Sequence, residues 1–259
     1  MTRQQLQTIT LLLCALISGC NHLSDKRYLV SVYQQQDERS IVEHYSNTQK
    51  LLASHSGQYL DAPIILSKAL LNPAQPTYTE PSLGNVIFIA EFPNRAQLNT
   101  YLKNADVLDQ INAIEKSSKQ EYVFVAKEFN PMGLLPTYPA VGQFARREEP
   151  AFIMVNDIAM KSFLNPLTPY RITRYMNKNI SNLGDAEVQM MMPFKKVADI
   201  RGNYPYEVLF MTEWPSEKKF NEFHDQYDFI QLTKSTRNKA FSAFTESKAQ
   251  IMKVEKFNE

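Results

Sequence analysis

Cysteine is nearly absent. Cys14 and Cys20 are the only two in 259 residues, and both precede residue 21. The body beyond them therefore holds no disulfide, no thiolate nucleophile and no cysteine metal site. Charge of one sign is missing as well. The 28 Lys and Arg against 27 Asp and Glu leave a net +1 with no dense basic stripe, so nucleic acid is not an expected partner. There is no glycine-rich phosphate loop, no His-Glu-x-x-His zinc pattern and no Gly-x-Ser-x-Gly nucleophile elbow, so neither a metal nor a cofactor is expected. What remains, 44% hydrophobic and 21% charged residues, is the balance of a folded, soluble body.

The N-terminus carries an address. Arg3 begins a short polar start, and Ile9 to Ile17 is an apolar run of signal-peptide length, too short to span a bilayer. The run closes on Ile17-Ser18-Gly19-Cys20, which resembles the lipobox of bacterial lipoproteins. The resemblance implies a signal peptide over 1–19, lipidation of Cys20 and a membrane anchor of several acyl chains. Residues 20–26 then form a lipidated tether of at most about 20 Å. Asn21 in place of Asp implies, by the same resemblance, the periplasmic face of the outer membrane.

The chain reads as one unit written twice. Val86-Ile-Phe-Ile-Ala-Glu91-Phe-Pro93 returns as Val208-Leu-Phe-Met-Thr-Glu213-Trp-Pro215, and beyond the prolines Asn99 meets Asn221 and Asp106 meets Asp228. The first unit, 27–129, predicts a strand at Tyr28–Tyr33 and a helix with Ile41, Tyr45, Thr48, Leu52 and His55 on one stripe, ended by Gly57. A strand within 59–71, the strand at Val86, a helix from Asn94 towards Lys119 and a strand at Tyr122–Ala126 follow. The order is βαββαβ, the ferredoxin-like plan. Residues 130–150 read as a linker. The second unit, 151–257, repeats the order, with strands at Ala151–Asn156, Glu187–Phe194, Glu207–Trp214 and Gln250–Val254.

Strands with one wet face alternate apolar and polar residues, and Val86–Phe92, Val123–Ala126, Phe152–Val155 and Val208–Met211 do not. Helices cover one face of each sheet, which leaves the partner unit's sheet to cover the other. The expectation is an α+β fold of two tandem ferredoxin-like repeats whose four-stranded antiparallel sheets pack face to face. This resembles the dimeric α/β-barrel superfamily, folded within one chain. The first unit is similar to a family of small bacterial domains of unknown function, on Tyr45, His55-Ser56-Gly57 and Glu91-Phe92-Pro93. The second keeps Glu213-Trp214-Pro215 but reads Asn182-Leu183-Gly184 where the histidine turn belongs. The superfamily includes cofactor-free monooxygenases, isomerases, haem enzymes and proteins with no assigned activity, so the resemblance implies a fold and leaves the function open.

Glu91 and Glu213 are the first candidates for chemistry. Each falls on the face of its strand shared with Ile87 and Ile89, or Leu209 and Met211. In an apolar cavity such a carboxylate is a general acid or base; beside the next helix start it is a simple counter-charge. His55 reads as a helix cap, or as a group orienting a substrate. His44 lies on the same helix beside Tyr45. The haem enzymes of the resembled superfamily take a histidine ligand from one repeat, and His224 is the residue placed for it, without a further haem motif. Tyr45, Tyr101 and Tyr175 line a pocket between sheet and helices or fill the core. Met190 to Met192 point to alternating faces of a strand and read as packing. Without an evident reactive constellation, the leading expectation is a membrane-anchored periplasmic module that binds a small ligand or an envelope protein without catalysis. The alternative is a cofactor-independent enzyme of monooxygenase or isomerase type on a small organic molecule, with Glu91 or Glu213 as base and His55 or a tyrosine orienting the substrate.

Overall fold

The computed structural model describes residues 25–35, 37–60, 62–70, 78–79, 83–116, 118, 121–129, 152–160, 189–190, 193–216, 218–220, 222, 244–255 and 257. The first half comprises β1 (Arg27–Tyr33), α1 (Glu38–Ser54), β2 (Gln58–Tyr59), β3 (Ile64–Leu70), β4 (Tyr78–Thr79), β5 (Val86–Phe92), α2 (Arg95–Leu102), α3 (Ala105–Glu115) and β6 (Glu121–Glu128). The second half contributes β7 (Phe152–Met160), β8 (Gln189–Met190), β9 (Phe194–Arg201), β10 (Val208–Trp214) and β11 (Phe244–Glu255). The predicted linker, the helix that holds Tyr175 and the position of His224 fall outside the described residues.

The sheet is antiparallel, curled and closed. Around it run β5, β1, β6, β9, β10, β7, β11 and β3, and β3 returns to β5 through Ile64 opposite Ile87 and Ile65 opposite Val86. The sheets expected to pack face to face are joined at their edges into one barrel. An unpaired sheet edge leaves a row of unmet N–H and C=O groups. Here β6 pairs with β9 from Val123 to Glu128, and β11 pairs with β3 from Ile251 to Glu255, so both edges of each half are joined. Every neighbour is antiparallel, so alternate strands share a direction, and β5 and β10 both run towards the same end of the ring.

Two cores divide the alternating side chains of the strands. Inside the ring, Tyr28, Val30, Val32, Ile87, Ile89, Phe124 and Ala126 meet Ile153, Val155, Phe194, Leu209 and Met211. On the outer face of the first half, Leu29, Tyr33, Val86, Phe88, Phe92, Val123 and Val125 meet the helices through Ile41, Tyr45, Leu52, Leu98, Tyr101, Val107 and Ile111. This is why the strands do not alternate: both faces are dry. Each fully buried aliphatic or aromatic side chain contributes roughly 1.5–3 kcal/mol relative to exposure.

Local chemistry sets the helix ends. Asp37 caps α1, accepting from the Arg39 amide at 3.2 Å and the Ser40 hydroxyl at 2.7 Å. At the other end Ser56, with φ 58°, is the left-handed residue, where glycine at 57 had been expected to play that part. Gly57 is needed for space, because a Cβ there would lie 2.6 Å from the Phe92 ring. The single helix expected after Asn94 is two. Asn94 caps α2 by accepting from the Gln97 amide at 3.0 Å, and Asn104 caps α3 by accepting from Asp106 at 2.8 Å. That restart changes the helical phase, and Leu108 is left exposed while Val107 and Ile111 are buried. The strand predicted at Glu187–Phe194 also moves. Among the described residues Gln189–Met190 pairs there, and the longer β9 begins at Phe194, its pattern hidden by Lys195, Lys196, Asp199 and Arg201 on a largely exposed strand.

Candidate functional site

The layer between α1 and the first half of the sheet holds a buried imidazole. His44 shares the inward face of α1 with Ile41 and Thr48, three and four residues away along the helix, and its neighbour Tyr45 is buried as well. Its ring meets Phe88 edge to face at 5.0 Å and Tyr33 at 5.9 Å. Burial pushes the imidazole pKa down to about 4, opposed by a hydrogen bond with the Gln110 backbone. At neutral pH the ring is therefore uncharged. With its N–H given to the Gln110 carbonyl, Nδ1 is left as a bare lone pair, and it has no hydrogen-bond partner among the described residues.

A second unmet atom lies beside it. Tyr33 is fully buried, and its hydroxyl has no hydrogen-bond partner among the described residues. Burial and the nearby Glu121 charge raise the phenol pKa, with Ser31 acting in the opposite sense, so the hydroxyl stays protonated. The surrounding wall is aromatic: Phe88 tilts on Tyr59 at 6.0 Å, and Tyr59 stacks on Tyr45 at 5.0 Å. Thr48 fixes the Tyr59 hydroxyl at 2.5 Å and bonds the His44 carbonyl at 2.6 Å. A neutral base and a neutral O–H donor, both dry and both unengaged, are the parts needed to take a proton from a bound molecule and to stabilise the anion left behind.

The residues singled out in the sequence are spread over both faces of the sheet. Glu91 faces the inside of the ring. It pairs with Lys26 at 2.9 Å and accepts from the Tyr28 hydroxyl at 3.4 Å, so its counter-charge is a lysine and not the start of α2. Glu213 is buried, on the same face as Leu209 and Met211, and lies opposite Ile153 as Glu91 lies opposite Tyr28. Both glutamates sit towards the same end of the ring. His55 caps α1, with Nδ1 2.9 Å from the Leu51 carbonyl and its ring edge-on to Tyr101 at 5.6 Å. Tyr45 and Tyr101 are both buried on the helix side. The structure therefore separates Glu91 from His55 by the thickness of the sheet. Tyr175, His224 and Cys20 lie outside the described residues.

Sequence reasoning passed over Tyr33 and Tyr59 and gave His44 no role. The available signal was spacing, since position 44 lies on the face of Ile41 and Thr48. It also missed a polar pair inside the ring, where the buried Tyr204 hydroxyl donates to the buried carboxylate of Asp157. Tyr204 stacks on Phe124 at 4.5 Å, and Lys196 lies over its ring. Among the described residues no group of three or more His, Cys, Asp or Glu is placed to hold a metal ion.

No protein-family model matches the sequence, and a search of curated proteins finds no match. Solved structures do match in shape. An anthrone oxidase-like protein superposes with a TM-score of 0.50 at 8% identity, over 89% of this chain and 92% of that one. A "putative monooxygenase" from Lactobacillus acidophilus NCFM gives 0.47 at 8% identity, over 88% and 93%. A mutant chlorite dismutase from Candidatus Nitrospira defluvii gives 0.46 at 10% identity, over 90% and 92%. The chain has the dimeric α/β-barrel fold. At these identities the likeness speaks to fold, and the first of the three carries it.

One expectation is corrected by these neighbours. The reading as a non-catalytic binding module is withdrawn, because the solved structure that carries the likeness in fold is of an anthrone oxidase-like protein. No linear motif marks this pair of side chains. His44 and Tyr33 lie on a helix and a strand and become neighbours only through packing.

Proposed function

We propose that the chain is an oxidase or monooxygenase-type enzyme acting on a small organic molecule, with His44 as its base. The observation that carries this is the uncharged, buried Nδ1 of His44 beside the Tyr33 hydroxyl, each without a hydrogen-bond partner among the described residues. The substrate needs an acidified C–H beside a carbonyl or an aromatic ring. His44 Nδ1 takes that proton, and the Tyr33 O–H donates to the oxyanion of the resulting enolate. Dioxygen, the co-reactant, accepts the electron pair as a C–O bond forms, and the imidazolium returns its proton to the peroxide. Loss of water then leaves a new carbonyl, so that a CH₂ group and O₂ become C=O and H₂O.

Anthrone, the compound in one neighbour's name, has such a CH₂ and serves as the probe. Dioxygen uptake and quinone formation above the uncatalysed rate, lost in His44→Gln by about 10²–10⁴-fold, is the expected result. Full activity in His44→Gln sinks this assignment.

Two further readings belong with it. We infer that residues 27–129 and 151–257 are tandem βαββαβ units. In support, the first half orders its strands β6-β1-β5-β3 and the second β11-β7-β10-β9, the same order by position. We also infer a lipoprotein, cleaved before Cys20 and held by its lipid at the periplasmic face of the outer membrane, on the strength of Ile17-Ser18-Gly19-Cys20 and Asn21. No helix among the described residues is long and apolar enough to cross a membrane. The lipid would then be the attachment, and the enzyme would work at the membrane surface.

A further inference from the structure

Helix α3 is held on two flanks. Its buried stripe of Val107, Ile111 and Ile114 belongs to the outer core of the first half, and Gln110 and Asn112 stand to either side of that stripe. On one flank Gln110 meets α1 twice. Its side-chain oxygen accepts from Asn47 Nδ2 at 3.3 Å, and its backbone carbonyl takes the His44 N–H. On the other flank Asn112 Oδ1 accepts from Arg201 Nη2, at the end of β9 in the second half.

Backbone chemistry puts Arg201 there. It lies opposite Val123 of β6, which is buried in the same outer core. Gly202 follows with φ 61°, in the left-handed region, and a Cβ at that position would run into the Glu121 carbonyl. The chain therefore turns directly after Arg201, against the first residue of β6. The guanidinium also acts on the Tyr33 phenol, against the charge of Glu121.

Both flanks bear on one atom. A carbonyl within a helix already accepts from the amide four residues on, so His44 uses the second lone pair of the Gln110 oxygen. That lone pair meets the imidazole at one roll of α3 about its axis. Apolar packing along a stripe is non-directional and fixes the roll poorly, whereas hydrogen bonds on both flanks fix it.

We propose that Arg201 is a positioning residue of the His44 site: by holding Asn112 it sets the roll of α3, keeps the Gln110 carbonyl on the His44 N–H, and so leaves Nδ1 as the base. The proposal rests on His44 being the reacting group. It makes the site a product of both halves, because the base stands on the first and the residue that orients it comes from the second.

The test uses the full chain and the variants Arg201→Ala, Arg201→Lys, Asn112→Ala and the double alanine variant. Anthrone oxidation is measured as kcat and KM, and the His44 tautomer is read from its ring nitrogens by NMR. The natural protein is expected to hold one tautomer, with the proton on Nε2. Arg201→Ala should give a mixture of tautomers and a kcat lower by about ten- to a hundredfold, with KM nearly unchanged. Arg201→Lys, which keeps a cationic donor, should fall between. Asn112→Ala should match Arg201→Ala, and the double variant should be no worse than either, because they break one interaction. If Arg201→Ala does not fold, Asn112→Ala carries both readouts. A single Nε2 tautomer retained in the folded alanine variants overturns the role of Arg201 and leaves His44 standing as the base. If none of the proteins oxidises anthrone, the proposed activity fails on that substrate. The tautomer then decides Arg201 alone, a mixture supporting the proposal and no change overturning it.

Discussion

The imidazole of His44 and the phenol of Tyr33 meet edge to face at 5.9 Å, each with a buried polar atom that no described residue satisfies. Such atoms are costly, because folding removes their water and gives nothing back. Removing the Tyr33 hydroxyl should therefore help stability and harm function. Tyr33→Phe is expected to gain about 1 kcal/mol in denaturant unfolding, by relief of an unmet polar group. The same change should slow anthrone oxidation about a hundredfold, as expected when a donor to an oxyanion is lost. A variant that is both destabilised and fully active contradicts this account.

Stability should depend on pH through His44. Its pKa is about 4 when folded and 6.5 in its unperturbed state, so the unfolded chain binds the extra proton between those values. The stabilisation from keeping the ring neutral is whole above pH 6.5 and is lost as the pH falls through 4. The depression corresponds to about 3 kcal/mol. His44→Phe is expected to flatten unfolding free energy against pH across that window. Catalysis has the same sign: the base stays unprotonated from neutral pH down to mild acid, and activity falls only near pH 4. An activity limb near 6.5 would mean that a solvated histidine does the work.

Glu91 supplies the control. It sits on the inner face of the sheet, paired with a half-exposed Lys26, while His44 lies on the outer face. An ion pair with one exposed partner contributes about 0–1 kcal/mol. Glu91→Gln is therefore expected to cost no more than that in thermal or denaturant unfolding and to leave anthrone oxidation at its natural rate. Loss of turnover in a folded Glu91→Gln protein would move the chemistry inside the ring.

The fold was legible in the sequence where burial is two-sided. Val86–Ala90 and Val208–Met211 read as continuous apolar runs, and both lie in strands of the ring, β5 and β10. Strand β9 was not legible, since an exposed strand with Lys195, Lys196 and Asp199 has no apolar period to read. Nor was the closing of the ring, which is made by backbone bonds between β6 and β9 and between β3 and β11. Glutamates drew attention because a charge in an apolar strand is conspicuous. His44 did not, because a histidine on a helix shows its burial only through the strands above it, and Tyr33 and Phe88 are contributed by two of them.

The address can be tested apart from the chemistry. If Cys20 is lipidated, Cys20→Ser should release the protein from membranes or block its maturation, read by fractionation and by the mass of the N-terminal peptide. Unchanged membrane attachment in the variant would rule out the lipid at this position. Turnover by the solubilised body should be unaffected, since β1 begins at Arg27.

Closure of the ring makes the halves depend on each other. Separated, residues 27–129 expose the free edges of β6 and β3 and the inward faces of Tyr28, Val30, Phe124 and Ile87. Residues 151–259 expose β9, β11 and the faces of Ile153, Leu209 and Met211. Bare edges and apolar faces are a template for association. Each half alone is expected to aggregate or self-pair, and the two expressed together to assemble into a one-to-one complex with anthrone oxidation restored. Size-exclusion chromatography with light scattering reads the stoichiometry. A first half that is monomeric and cooperatively folded by itself would mean that the second sheet is not needed to cover the first. The inner core would then have to be re-derived from one half alone.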